Sequence, residues 1–318
     1  MHELDRITLG RNIVSAEDGG RNFRRFRMRN ENGEGLMTMH RVFDGVFLMF
    51  NDFHMNGGCS KLKIDADVFC IDHCREGRIE HSLPGGICTY LSAGDLRVDN
   101  RSSNYSHYSM PLSRYRGVTI VFFLESAGRS LSEAMKGFPV SLGEVYSKYC
   151  SGPEPYIIRS EPLIERLFSE IYAVPEKVKD YYFKIKVLEL LLYLDALELS
   201  VHDQTRPYFY KTQVEKIKAI QALITENIEE RFTLDELSER FDIPLTSMKN
   251  CFKGVYGTSI YAYIRSSRMN RAAVFLRTTD YSIARIAGDV GYSSPSKFAA
   301  AFRDVMRITP LEYRKSSV

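Results

Sequence analysis

No two cysteines in the sequence are spaced C-x-x-C, and six cysteines in 318 residues are too few to staple a chain of this length. That excludes a disulfide scaffold and makes a reducing cytoplasm the expected setting. The first ten residues, MHELDRITLG, hold no apolar core and no small-residue cleavage pattern, which argues against a secretory leader. The longest apolar runs, such as Leu190–Leu194, fall far short of the roughly 20 residues that a membrane-spanning helix needs. There is also no His-x-His pair followed by a glutamate, one arrangement that would bring histidine and carboxylate ligands together on a metal. The excess of one sign of charge is small as well. The net charge is only +3, which by itself does not indicate a nucleic-acid partner.

What is present is an ordinary globular composition, 44% hydrophobic and 26% charged, in a chain long enough for two or three domains. The charge is unevenly placed. From Lys211 to the end there are 17 Lys and Arg against 12 Asp and Glu, while the preceding residues hold 26 against 28. The basic excess lies in the last third, where phosphate binding would need it.

From about 36 to 125 the apolar period is close to two. Val46–Phe50, Val68–Cys74, Ile79–Leu83, Ile87–Leu91, Leu96–Asp99 and Val118–Leu124 read as short strands. Arg75–Arg78, Pro84-Gly85-Gly86 and Ala93-Gly94-Asp95 read as turns between them, the pattern of an all-β barrel or sandwich. Upstream, Phe23–Arg29 is basic with interleaved apolar residues and is expected as a solvated edge strand or an arm on the barrel. In strand geometry Cys70, Asp72 and Cys74 share one face and His73 takes the other. The cysteines are therefore expected to be structural rather than a metal or redox centre.

From 126 the period lengthens to that of helices. Leu131–Met135, Leu142–Lys148, Pro162–Ala173 and Val178–Leu199 are expected helices. The last carries apolar residues around much of its circumference, more than one buried face needs. The surplus points to contact with a second subunit, the alternative being a central place in a larger helical bundle. Residues 201–212 are polar and read as a linker.

Residues Phe232–Lys315 repeat one apolar skeleton. Leu234, Leu237, Phe241, Ile243, Met248, Phe252, Ile260 and Tyr263 match Ile283, Ile286, Val290, Tyr292, Phe298, Phe302, Pro310 and Tyr313. The second turn is one residue longer. Each copy reads as helix, turn, helix. Thr233 with Glu236 forms an expected capping box for the first copy, and Ser282 caps the second. In the first recognition helix Thr246, Ser247, Lys249, Asn250 and Lys253 are expected to face outward. Asn250 suits bidentate contact with adenine, and Lys249 and Lys253 suit phosphates. In the second, Ser296, Lys297, Ala300 and Arg303 face outward, and Ala300 offers at most a methyl contact to thymine. A continuous helix over Ser259–Thr278 joins the copies and fixes their spacing.

These residues carry a resemblance. Asp280–Ile283, Ile286-Ala287, Val290–Ser296, Phe298, Ala301–Arg303 and Thr309–Arg314 are similar to the DNA-binding domain of the AraC/XylS transcription regulators, over about a third of the chain. The resemblance implies a bacterial activator or repressor of transcription, acting as a homodimer on double-stranded DNA beside RNA polymerase, with an effector-binding barrel upstream. Two positions depart from the family. Arg307 replaces the usual glycine before the final Thr-Pro, and Ala300 replaces a long polar side chain.

The β region is similar to the cupin-like barrel of that family. Gly86 and Ser92–Asp95 resemble part of a cupin turn, with Arg97 where metal cupins place histidine. The expected architecture is α+β. A cupin-like barrel spans 1–125, a helical dimerisation segment 126–200, a linker 201–212, and an all-α double helix-turn-helix domain 213–318. Tyr90, Arg97, Tyr108 and Tyr115 are the expected effector handles. No metal, cofactor, membrane contact or catalytic residue is expected. The competing readings are a ligand-independent architectural or adaptor protein and, more remotely, a cupin enzyme.

Overall fold

The chain in the computed structural model separates into two compact units, Met1–Tyr208 and Phe209–Val318. Residues 7–8, 13–19, 23–59, 63–64, 67–83, 85–101, 107–134, 136–152, 154–199 and 208–316 are described. The expected linker residues 201–207, together with Pro84 and Pro153 of the expected breaks, lie outside them.

Period-two stretches rich in Val, Ile, Phe and Tyr build the first unit. Its strands are β1 (Ile7–Thr8), β2 (Ile13–Asp18), β3 (Phe23–Asn30), β4 (Gly33–Phe43), β5 (Val46–Met55), β6 (Gly57–Cys59), β7 (Lys63–Ile64), β8 (Val68–Leu83), β9 (Ile87–Ser92), β10 (Leu96–Asp99), β11 (His107–Ser109), β12 (Tyr115–Phe123) and β13 (Tyr156–Ile158). The main path runs β13-β10-β8-β12-β5-β4-β3-β2, and its pairs are antiparallel. The sheet curls into a half-barrel.

Two expectations are corrected here. The basic stretch Phe23–Arg29 is not an edge strand, because β3 is paired on both sides, by β2 and β4. Its arginines pair along and across the strands, Arg25 and Arg27 with Glu17 and Arg29 with Glu34. Nor do Arg75–Arg78 form a turn. β8 runs through them as one strand. Its first half pairs with β12 and β10 and its second half with β9 and β11. Gly77, at φ +85°, takes up the bend, and close to it the register slips, with Arg75 left over between the pairs Arg116–Glu76 and Gly117–Cys74, as in a β-bulge. A turn-like sequence therefore bends the strand without ending it.

Alternation gives the sheet two different faces. The row Leu96, His73, Val118 and Phe50 is in register across β10, β8, β12 and β5. That face packs on helices α1 (Leu124–Ala134), α2 (Leu142–Tyr149), α3 (Pro162–Ala173) and α4 (Lys179–Ala196). Phe69, Ile71, Ile120, Phe122, Phe168, Phe183, Leu190 and Leu194 are central to the resulting core. His73 stacks on Phe168 of α3, with ring centroids 4.0 Å apart. His40 meets Phe183 of α4 edge-on at 5.3 Å. The opposite face carries two further apolar clusters rich in methionine and aromatics.

The second unit is helical: α5 (Lys211–Glu226), α6 (Leu234–Arg240), α7 (Leu245–Tyr256), α8 (Ile260–Thr278), α9 (Ile283–Asp289), α10 (Pro295–Met306) and α11 (Pro310–Lys315). Buried Phe252 meets Tyr256 and Tyr263 in the first half. Buried Phe298 and Phe302 meet Tyr292 and Tyr313 in the second.

Candidate nucleic-acid interface

Each reader starts from a capped helix. Thr233 and Glu236 form the reciprocal capping box at α6, with the Glu236 amide donating to Thr233 Oγ1 at 3.2 Å and the Thr233 amide donating to Glu236 Oε2 at 2.8 Å. Ser282 caps α9 by accepting the Arg285 amide. Both turns then need a residue at positive φ, and it is Asp242 (φ +46°) in the first and Gly291 (φ +79°) in the second. Lys216 holds the first turn by donating to the Asp242 carbonyl.

The recognition helices α7 and α10 have twelve residues each. Met248, Cys251, Phe252 and Val255 bury one side of α7. Thr246, Lys249, Asn250 and Lys253 are exposed on the other, and Ser247 is half-buried. The exposed four fall at positions i, i+3, i+4 and i+7, a single stripe along the helix. None of them carries a side-chain hydrogen bond or ion pair among the described residues.

On α10, Phe298, Ala301 and Phe302 are buried while Ser296, Lys297, Ala300 and Arg303 are exposed. The centre of that stripe is Ala299-Ala300, where the first copy has Lys249-Asn250. Arg307 ends α10 in the left-handed region at φ +67°, as Gly257 ends α7 at φ +76°. A side chain there costs roughly 1 kcal/mol. The fold absorbs that cost and still closes the cap through the Arg307 amide and the Arg303 carbonyl.

Residues 237–316 match the family model described as a helix-turn-helix domain. Regulatory protein SoxS of Escherichia coli K12 is 34% identical over 98 residues, 31% of this chain and 92% of SoxS. The chain belongs to the AraC/XylS family of transcription regulators. It is also similar to the transcriptional activator RhaR of Mannheimia succiniciproducens, 28% identical over 123 residues, 39% of this chain and 45% of RhaR. It therefore spans less than half of RhaR. The virulence regulon activator VirF of Yersinia enterocolitica is 27% identical over 201 residues, covering 60% of this chain and 70% of VirF. As an AraC/XylS member the chain is a DNA-binding transcription regulator. No helix among its described residues is long and apolar enough to cross a membrane.

The upstream unit of this AraC/XylS protein separates the four effector candidates. Arg97, Tyr108 and Tyr115 share the sheet face away from the helices. Tyr108 and Tyr115 lie in one cluster with Phe53, Met55, Cys74 and Leu91. Tyr90 is on the other face, because it stands opposite Glu80 while its neighbour Leu91 joins that cluster. Its hydroxyl donates to Glu80 Oε2 at 2.7 Å.

Sequence reasoning missed the buried polar chain around Arg97. Arg97 donates to Asp99, and Arg101 donates to Asp72 at 2.6 Å. Thr119 donates to Asp72 Oδ1 at 2.7 Å, and Asn51 donates to Thr119 at 3.0 Å. Burial works against the Asp99 carboxylate, but the Arg101 and Arg97 guanidiniums outweigh it and hold its pKa below the ordinary value. The alternation of Asp72 with Cys70 and Cys74 was the available signal for this chain. Burial pushes both of those thiols up to about 12, which keeps them protonated and unreactive. No three His, Cys, Asp or Glu side chains form a metal-sized group among the described residues.

Proposed function

We propose that the chain acts in the bacterial cytoplasm, on nucleoid DNA, as a homodimeric regulator whose upstream barrel binds a small-molecule effector and whose paired readers act beside RNA polymerase. The observation that carries the DNA-reading part is the stripe Thr246, Lys249, Asn250, Lys253. Its groups are exposed, unpaired among the described residues and of the types that meet base edges and phosphates. The first reader supplies most of the base specificity. The second, with Ala300 at its centre and Ser296, Lys297 and Arg303 around it, chiefly grips the backbone.

Asn250→Ala is expected to lose about 10- to 100-fold discrimination at one base pair, the value of one good bidentate contact. Lys253→Ala is expected to weaken all sequences alike and to reduce the slope of log K against log salt by about 0.9. Fluorescence anisotropy on a duplex selected from a random library, and on single-base variants of it, measures both. Equal losses on every sequence for both variants would reverse the assignment of roles.

Dimerisation is supported by α4. Its buried side uses Phe183, Val187, Leu190 and Leu194, yet Tyr181, Ile185 and Leu192 stand 75%, 59% and 42% exposed. With half-buried Leu188 they form a second apolar stripe at i, i+4, i+7 and i+11, the pattern of a helix seam. Ile185→Asp is expected to give a monomer in sedimentation at micromolar concentration, with the fold retained by circular dichroism. A dimer unaffected by that change would place the interface elsewhere.

The effector is supported by the face of the sheet holding Arg97 and Tyr115. Asn51 Oδ1 there is buried and accepts no hydrogen bond among the described residues. A buried acceptor of that kind costs about 1–3 kcal/mol, and a donor on a bound molecule would offset it.

A further inference from the structure

Arg268 lies on the joining helix α8 among Arg265, Arg271 and Arg277, and by sequence all four look alike. Their surroundings differ. Arg265 pairs with Asp304 at the surface, and Arg271 and Arg277 are exposed. Arg268 is half-buried and donates to backbone carbonyls from both halves of the reading unit. Its Nε reaches the Ile228 carbonyl at 2.8 Å, its Nη2 the Glu230 carbonyl at 2.6 Å and the Glu229 carbonyl at 3.5 Å, and its Nη1 the Gly291 carbonyl at 3.3 Å. Residues 228–230 lead from α5 into the capped start of α6. Gly291 is the turn between α9 and α10. The guanidinium is therefore shared between the entry to the first helix-turn-helix and the turn of the second.

The second turn is shaped around that contact. A Cβ on Gly291 would lie 2.5 Å from the Glu229 carbonyl oxygen and 2.7 Å from Arg268 Nη2. Tyr292 covers the guanidinium, with the ring centroid 5.8 Å away. Arg231 adds a weaker second link, donating to Ser293 at 3.4 Å. A planar guanidinium with five donors suits such a divided acceptor set. An ammonium, a point charge with three donors, does not.

We infer that Arg268 is a positioning residue that locks the two helix-turn-helix motifs at one spacing and orientation, so that the protein accepts only one separation between the two DNA boxes. That role presupposes the two-reader mode of DNA binding proposed for α7 and α10. α8 alone supplies a rod, and its other polar ties among the described residues, Gln221 to Tyr263 and Arg265 to Asp304, each reach one motif only, which leaves the motifs free to swivel against each other. The divided hydrogen bonds of Arg268 remove that freedom, and the binding of the second box then becomes an effectively intramolecular event with a sharp geometric optimum.

The full chain is first used to select a duplex from a random-sequence library. Affinity is then measured on that duplex, on versions with one to five base pairs inserted between the two boxes, and on a duplex keeping only the first box. The wild-type chain is expected to lose about tenfold or more on insertion, the avidity contributed by the second box. Arg268→Ala is expected to weaken binding to the uninterrupted site about tenfold, to flatten the insertion penalty to about twofold, and to bind the single box within about twofold of wild type. A merely structural defect would lower single-box and two-box binding together. That outcome, or an unchanged insertion profile, would overturn the assignment. Arg268→Lys keeps the stem on Tyr292 but cannot span both carbonyl sets. It is read by the same criteria if Arg268→Ala does not fold. A wild-type chain that selects no sequence at all would instead overturn the two-reader mode itself, and the positioning role with it.

Discussion

Asp72→Ala is expected to destabilise the upstream unit by about 3–5 kcal/mol, the usual cost of breaking a buried ion pair from one side. Asp72 is 6% exposed and accepts from both Arg101 and Thr119. Its removal leaves two guanidiniums, Arg97 and Arg101, sharing the single carboxylate of Asp99, and leaves the Thr119 hydroxyl without its acceptor. Asp72→Asn keeps the shape and one acceptor but not the charge, so its loss should be smaller. For a unit of this size each kcal/mol moves the midpoint by roughly 2–4 °C, so scanning calorimetry should show the Asp72→Ala transition falling by about 10 °C. The 209–318 unit has its own core and should melt as in the wild type. A shift under about 1 kcal/mol would mean that the charges are solvated and the network is not structural.

How much of this was legible in the sequence depends on how local each feature is. The readers were legible because helical spacing, the Thr233/Glu236 box and the Ser282 cap act within four residues, and because the skeleton is written twice. Most of the outward stripe followed from the same spacing, but Ser247, expected outward, is half-buried because it sits beside the buried Met248 and Cys251 edge of α7. The barrel strands were legible by alternation, but β8 was not legible as one strand. Arg75-Glu76-Gly77-Arg78 has the composition of a turn, and it is pairing with β12, distant in sequence, that keeps it extended. The position of Phe23–Arg29 inside the sheet was hidden for a similar reason, since cations on a strand can be solvated or laddered against acids on a neighbour. Arg268 was hidden most fully. Nothing in its immediate sequence separates it from the arginines around it, and its partners are carbonyls, which every residue has.

The second large effect is acid destabilisation of the upstream unit alone. Burial, aided by the charge of Lys179 and opposed by Glu176 and Asp180, lowers the His40 pKa from 6.5 to about 4. Burial and Arg75 lower that of His73 to about 4 as well. Burial, Arg97 and Arg101 act on His81 in the same direction. Above about pH 6.5 these imidazoles are neutral in both the folded and the unfolded chain and contribute no pH dependence. Between 6.5 and 4 the unfolded chain binds protons that the native chain refuses, so stability falls on acidification by about 1.4 kcal/mol per pH unit for each imidazole. Below about 4 the native imidazoles protonate too and the loss levels off. Across the window His40 and His73 together remove roughly 7 kcal/mol, a large fraction of the stability of an ordinary domain. Both rings lie where the sheet meets the helices, His73 on Phe168 and His40 on Phe183, so charging them loosens α3 and α4, the latter carrying the proposed dimer stripe. The segment 209–318 contains no histidine, and no imidazole-linked loss is available to it. Urea unfolding at pH 7, 6 and 5 should therefore show the upstream transition moving to lower denaturant while the reading unit loses nothing through imidazoles, and the double variant His40→Phe/His73→Phe should flatten the upstream slope. An upstream transition independent of pH between 7 and 5 would show that these imidazoles protonate in place without loosening the helices.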